Sequence, residues 1–160
     1  MKLWVGNIHS RHGKLQVIGV NMRVIIAGSR GLYPKLKTID EIVKASGFDV
    51  TEVVSGGARG VDTAGENWAS FVYAGVKAFL ADWKDLSHPD AVIGYGSYGA
   101  YDKMAGHRRN KKMAEYADAL IAIWDGKSSG TKNMISQMKR LGKKVFVVIL
   151  DGEIFKTVDG

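Results

Sequence analysis

The chain has 160 residues, is 46% hydrophobic and 24% charged, and carries a formal net charge of +7. That length fits one globular domain with its own core, and a second is not expected. The lack of cysteine excludes disulfides and thiolate zinc sites, while the basic balance favours phosphate-bearing partners, either nucleotides or nucleic acid.

The first residues, "MKLWVGNIHSRHGKLQVIGVN", interrupt every apolar run with His, Arg or Lys before it reaches signal-peptide or membrane-span length. A cytoplasmic protein without a membrane partner is therefore expected. Residues 1–21 read either as an extension ahead of a natural start at Met22 or as an edge hairpin, with "LWVGNI" and "KLQVIGV" around "HSRHG". Residues 22–160 read as a single domain.

From Arg23 onward, strand-length apolar runs alternate with segments of helical period. "RVIIAGS" (23–29) is a β-branched run, and beyond Pro34 the residues Leu36, Ile39 and Val43 share a helical face. "TEVVSGG" (51–57) leads into a helix expected to turn Val61, Ala64, Trp68 and Phe71 or Val72 inward, and "VKAFLAD" (76–82) is the next strand. Residues 86–106, "LSHPDAVIGYGSYGAYDKMAG", are too long and too glycine-rich for a simple connection and read as a lid or a disordered loop. Then come a helix in "RRNKKMAEYA", a strand in "DALIAIWDG", a helix in "GTKNMISQMKRLG" with Met134, Met138 and Leu141 as its core face, and a strand in "KKVFVVIL". Strands apolar at nearly every position are covered on both faces. The expected fold is an α/β, Rossmann-like three-layer domain with a mostly parallel sheet of about five strands.

In such a sheet, ligands sit beyond the carboxyl ends of the strands, where helix N-termini present free N–H groups and positive dipole ends. Three glycine-bearing polar loops fall there. The first holds Gly28, Ser29 and Arg30. The second is "SGGARG", with Ser55, Gly56, Gly57, Arg59 and Gly60, where missing Cβ atoms open space for a phosphate or ribose and Arg59 offers a fork of donors. The third holds Ser128, Ser129, Gly130 and Thr131 at a helix start. A P-loop is excluded, because the glycine it needs at position 121 is Ile121. "SGGARG" also lies one residue from a dinucleotide fingerprint, with Asp82 where a ribose-binding acid would stand, so a nicotinamide dinucleotide enzyme is a competing reading. Such an enzyme needs a second, substrate domain.

Taken together, "IIAGSRG", "VVSGGARGVD" and "AGHRRNKKMAEYADALIAIWDGKSSGT" resemble the SLOG superfamily over roughly residues 22–150, and most closely its small YspA-like branch of bacteria and phages. The superfamily includes the Lonely-guy phosphoribohydrolases, DNA-processing protein A and sensors of nucleotide-derived signals. The resemblance implies a site for a nucleotide or nucleotide-derived small molecule at the three loops. It also implies a phosphate role for Arg108, Arg109 and Asn110 at a helix start, against the alternative of a solvated basic face.

Lonely-guy enzymes carry an arginine in a helix-opening "ERK" and a glutamate in "PGGxGTxxE". Arg109 matches the arginine and Gly130 and Thr131 match the "GT", but Asn110 replaces the lysine and Met134 stands at the glutamate. Phosphate binding survives the comparison and the hydrolase does not, because glycosidic cleavage normally needs a carboxylate. The replacement acids are Asp62, expected to cap the first turn of its helix, and Glu66 one turn on, with Arg109 as the third catalytic candidate. Asp82 would hold a ribose hydroxyl or simply a turn, and Trp83 would stack on a base or cover the core. No metal or cofactor is expected, since His9 and His12 lack a neighbouring carboxylate. The functions left open are nucleotide binding or sensing, nucleotide N-glycosidase activity, and single-stranded DNA binding, with weak nonspecific nucleic-acid contacts and a homo-oligomer both compatible.

Overall fold

The computed structural model describes residues 21–158. The extension or hairpin expected of residues 1–21 lies, but for Asn21, outside the described residues.

The chain runs β1 (Arg23–Gly28), α1 (Leu36–Ser46), β2 (Glu52–Ser55), α2 (Val61–Phe71), β3 (Gly75–Ala78), β4 (Ile93–Gly96), β5 (Gly99–Asp102), α3 (Ala105–Tyr116), β6 (Ala119–Trp124), α4 (Ser129–Arg140), β7 (Lys144–Asp151) and β8 (Ile154–Val158). Six strands form one sheet in the order β3-β2-β1-β6-β7-β8. The first five are parallel, and β8 returns antiparallel along β7. The fold is thus the three-layer α/β arrangement that the apolar runs imply, with a sixth strand that they did not announce.

Period-two alternation distributes each strand between two cores. Val24, Ile26, Val53, Ile121 and Ile123 face α1 and α2, meeting Ile39, Ile42, Val61 and Trp68. Ile25, Val54, Leu120, Ala122 and Val147 face α3 and α4, meeting Met113, Met134, Ile135 and Met138. Full burial of such side chains contributes about 1.5–3 kcal/mol each, which is what holds the helices to the sheet.

Several expectations about packing are corrected. Val61 and Trp68 are buried as expected, but Phe71 and Val72 are exposed, and Gly65 and Ala69 complete the inner face of α2. A Cβ at Gly65 would come 2.9 Å from Ile26 Cγ2, so the helix lies too close to β1 for a larger residue. Leu36 and Leu141 are likewise solvent-facing at their helix ends. The strand expected at 76–82 is only Gly75–Ala78 and is exposed throughout, because it is the sheet's edge.

Residues 86–106 are not a formless loop. They contain the antiparallel hairpin β4–β5, in register Ile93↔Asp102, and the first two residues of α3. Among the described residues, no helix is long and apolar enough to cross a membrane.

Candidate functional site

The strand order places β1 beside β6, with β1 leading into a helix on one face of the sheet and β6 into a helix on the other. Such a reversal opens a crevice beyond the strands' carboxyl ends. A cleft of about 420 Å³ lies there, lined by Gly28, Ser29 and Arg30 after β1, by Gly56, Ala58 and Asp62, by Arg109 and Asn110 of α3, and by Asp125 and Ser128–Thr131 after β6.

The glycines of "SGGARG" answer mainly to the protein itself. A Cβ at Gly56 would come 2.7 Å from a terminal nitrogen of Arg109 and 2.9 Å from Asp62 Oδ2. The bare backbone there admits two side chains of the chain, and the Arg109 guanidinium donates to the Gly56 carbonyl. Gly57 has φ 68° and faces Leu80, while Gly60 has φ 79° and abuts the carbonyls of Arg30 and Leu32. Both need a conformation that side chains disfavour. Gly28 is closed off by the Ile123 carbonyl, whereas Gly130 faces open space.

Asp62 is the second residue of α2, yet it holds the preceding loop rather than its own helix end: its Oδ2 accepts the N–H groups of Gly56 at 3.2 Å and Ala58 at 3.3 Å. Only 5% of the residue is exposed. Burial pushes its carboxyl up to about 6, against the pull of the loop N–H groups and of the Arg109 charge. Arg109 is itself shifted down, first by burial, with Asp62 opposing. A carboxyl near 6 beside a guanidinium can take or give a proton near neutral pH. Glu66 is placed elsewhere, accepting from Ser55 Oγ at 2.6 Å, and Ser55 Oγ also accepts the Gly57 N–H at 3.1 Å. Neither lines the cleft.

At the opposite lip, α4 begins at Ser129 after the N-cap Ser128. The first backbone bond back into this turn is Lys132 N–H to Ser128 at 3.2 Å. The N–H groups of Ser129, Gly130 and Thr131 have no backbone partner among the described residues. Asp125 Oδ1 accepts Lys127 and Ser128 N–H, each at 2.8 Å, and its carboxyl is held below the ordinary range by these bonds. Ser29 Oγ accepts the Asp125 N–H at 3.1 Å, tying the β1 and β6 loops together. The free helix end, with its positive dipole, makes this lip suited to an anion.

The remaining wall is aromatic and basic. Trp83 meets Tyr101 edge-on at 6.4 Å, and the Arg30 guanidinium lies 5.6 Å from the Trp83 ring centre. Gly106 allows this, since a Cβ there would come 2.8 Å from the indole. Lys103 and His107 complete the rim. The wall is anchored by Asp102, wholly buried, which accepts Val92 N–H at 3.0 Å, Met104 N–H at 2.9 Å and the Arg108 guanidinium. Burial would raise this carboxyl, but the Arg108 and backbone bonds override it and hold it at about 2.

Arg108 and Arg109 therefore part ways. α3 begins at Ala105, three residues earlier than "RRNKK" suggests, so Arg108, Arg109 and Asn110 are not at its N-terminus. Arg108 bonds Asp102 and Asp90 and does not line the cleft. Asn110 joins α3 to α4 through Asn133 at 3.1 Å and accepts Arg109 Nε at 3.0 Å. Arg59 and Gly60 line a separate hollow with Tyr33, Pro34 and Asn67, and Asp82 is exposed outside the cleft. Gly28, Ser29, Arg30, Gly56, Asp62, Trp83, Arg109, Asn110 and Ser128–Thr131 are brought together; Ser55, Gly57, Arg59, Gly60, Glu66, Asp82 and Arg108 are not. Tyr101, Lys103, His107 and Asp125 line the cleft without having been singled out, and only the polar run "YDKMAGH" hinted at the first three. Met134 lies on the cleft floor. Among the described residues, no group of three or more His, Cys, Asp or Glu is placed to hold a metal ion.

No protein-family model matches the chain, and no curated protein matches it. Among solved structures, the X-ray structure of DNA processing protein A (DprA) from Streptococcus pneumoniae is similar, with a TM-score of 0.58 and 19% identity. The match covers 79% of this chain and 50% of that one, so this chain spans about half the length of its neighbour. At that identity the likeness is one of fold, a DprA-like Rossmann arrangement.

Proposed function

We propose that the cleft binds a nucleotide or nucleotide-derived small molecule, in a binding or sensing role without efficient turnover. Its phosphate would lie against the open N-terminus of α4 and its base against Trp83. The observation that carries this reading is the convergence, in one crevice at the β1/β6 reversal, of unpartnered N–H groups at Ser129–Thr131, the cations Arg30, Lys103 and Arg109, and an aromatic wall. Met134 on the floor, where a Lonely-guy enzyme would have its acid, supports binding over cleavage. Placement in the YspA-like branch and a cytoplasmic location belong to the same proposal.

One observation favours a second reading. Asp62 is a buried cleft carboxyl shifted to about 6, so a nucleotide N-glycosidase would use it in place of the absent glutamate. A third reading, single-stranded DNA in the same cleft, takes its support from the neighbour's name as a DNA processing protein.

Calorimetric titration with nucleoside and nucleoside monophosphate, paired with chromatographic assay for free base, separates them. The binding reading expects the nucleotide to bind about 1.5–3 kcal/mol more tightly than its nucleoside, with no base released. Equal binding sinks the phosphate site. Rapid base release that Asp62→Asn abolishes establishes the glycosidase. Tight oligonucleotide binding at physiological salt that mononucleotides fail to displace establishes the third reading.

A further inference from the structure

Among the described residues β3 ends the sheet, and no strand pairs with its outer rim. The N–H groups of Gly75 and Phe79 bond Thr51 and Ser55 toward β2, so by alternation the N–H and C=O of Val76 and Ala78 point away from the sheet. All four residues of the strand are exposed. Exposed apolar residues lie on this strand and directly before and after it in the chain: Phe71 is 62% exposed, Val72 38%, Tyr73 96%, Val76 45% and Leu80 78%. Tyr73, just past the end of α2, has φ 57°, a conformation that favours glycine. The chain thus holds an aromatic ring in solvent beside an unpaired strand, where natural sheets usually cover or blunt the edge.

We propose that this rim is a homodimer interface, in which β3 pairs antiparallel with β3 of a second copy about a two-fold axis at Val76, fusing two six-stranded sheets into one. The register follows from charge. An axis at Lys77 would set two ammonium groups directly opposite each other, which destabilises a strand pair. An axis at Val76 pairs two β-branched valines through their outward backbone groups and sets each Lys77 opposite a glycine, Gly75 of the other copy. The patch is self-complementary, as a two-fold interface requires.

Its size also fits. At about 200 Å² per side chain, complete covering of the exposed fractions of the five apolar residues would bury at most roughly 600 Å² per copy, or about 1,200 Å² for a pair, the lower bound for specific interfaces. An interface of that size belongs with the weak, transient ones. The opposite edge, β8, exposes only Ile154 and Val158 as large apolar residues and offers less.

The chain has no cysteine, which makes single-cysteine cross-linking of the full-length protein a direct test of register. Antiparallel hydrogen-bonded partners have Cα atoms about 5.5 Å apart, within the span a disulfide accepts. Val76→Cys should oxidise to a covalent dimer in much higher yield than Lys77→Cys. Tyr73→Gly should weaken association by about tenfold or more while raising the melting temperature, since it removes the interface ring and relieves the backbone. Val76→Pro should abolish the dimer without unfolding, because its N–H points outward. If that variant fails to fold, the other two still decide. The proposal is overturned by a wild-type monomer at several hundred micromolar in sedimentation velocity, or by a dimer indifferent to all three substitutions. It is also overturned by a monomer that dimerises only once residues 1–20 are removed, which would give the rim to the chain's own N-terminal segment.

Discussion

Asp62 and Asp102 are 5% and 0% exposed, and each accepts two backbone N–H groups, yet they are driven in opposite directions. Asp62 is raised to about 6 and Asp102 is lowered to about 2. The difference is what each neighbouring arginine touches. Arg108 bonds the Asp102 carboxylate directly. Arg109 gives its hydrogen bonds to the Gly56 and Phe79 carbonyls and the Asn110 side chain, leaving Asp62 only its more distant charge. One buried acid is committed to holding the hairpin wall; the other faces the cleft with its proton in reach of neutral pH.

The sharpest way to break this contrast is at the hairpin. Arg108→Ala leaves Asp102 buried without its counter-charge, the costly half of a broken ion pair. The wall carrying Tyr101 and Lys103 should loosen, and limited proteolysis between residues 86 and 104 should accelerate by about tenfold or more, while the sheet stays intact. Asp102 stabilises the fold above its unfolded pKa, and that contribution should disappear as pH falls from about 4 through 2.

Asp62 predicts the opposite sign. Its folded carboxyl keeps a proton to about pH 6 while the unfolded one loses it near 3.9, so stability should fall as pH rises through that window, by on the order of 3 kcal/mol. Asp62→Asn should therefore be more stable than the wild type at pH 7.5, and the gain should shrink to nothing below about pH 4. Chemical denaturation at the two pH values checks it. An unchanged difference would mean that the Asp62 carboxyl titrates alike in the folded and unfolded chain, and a gain that grows as pH falls would place it with Asp102.

Ligand binding should separate the arginines further. Arg109→Ala and Arg30→Ala should each weaken nucleotide binding by about 1.5–3 kcal/mol in calorimetry. Trp83→Ala should lose about 1–3 kcal/mol toward ligands that carry a base and little toward inorganic phosphate. The smallest effect belongs to Arg59→Ala, at less than about 0.5 kcal/mol, because Arg59 lines the other hollow. A loss comparable to that of Arg109 would move the ligand out of the cleft.

The alternation of apolar runs with helical period determined the three-layer fold and put Gly28–Arg30, Gly56 and Ser128–Thr131 beside a common crevice. Both are consequences of local periodicity combined with the rule that parallel strands share one carboxyl edge. Tertiary structure decided what each residue does there. Arg108 and Arg109 are adjacent in sequence but about 100° apart around a helix, so one meets Asp102 and the other Gly56, which lie far apart along the chain. Gly56 reads as room for a phosphate until folding brings Arg109 into that space, whereas Gly130 keeps its side open. The partners of Asp102 all lie within residues 92–108, yet only folding buries it and turns Arg108 toward it, and Asp62 is set by burial and by Arg109 from a distant helix.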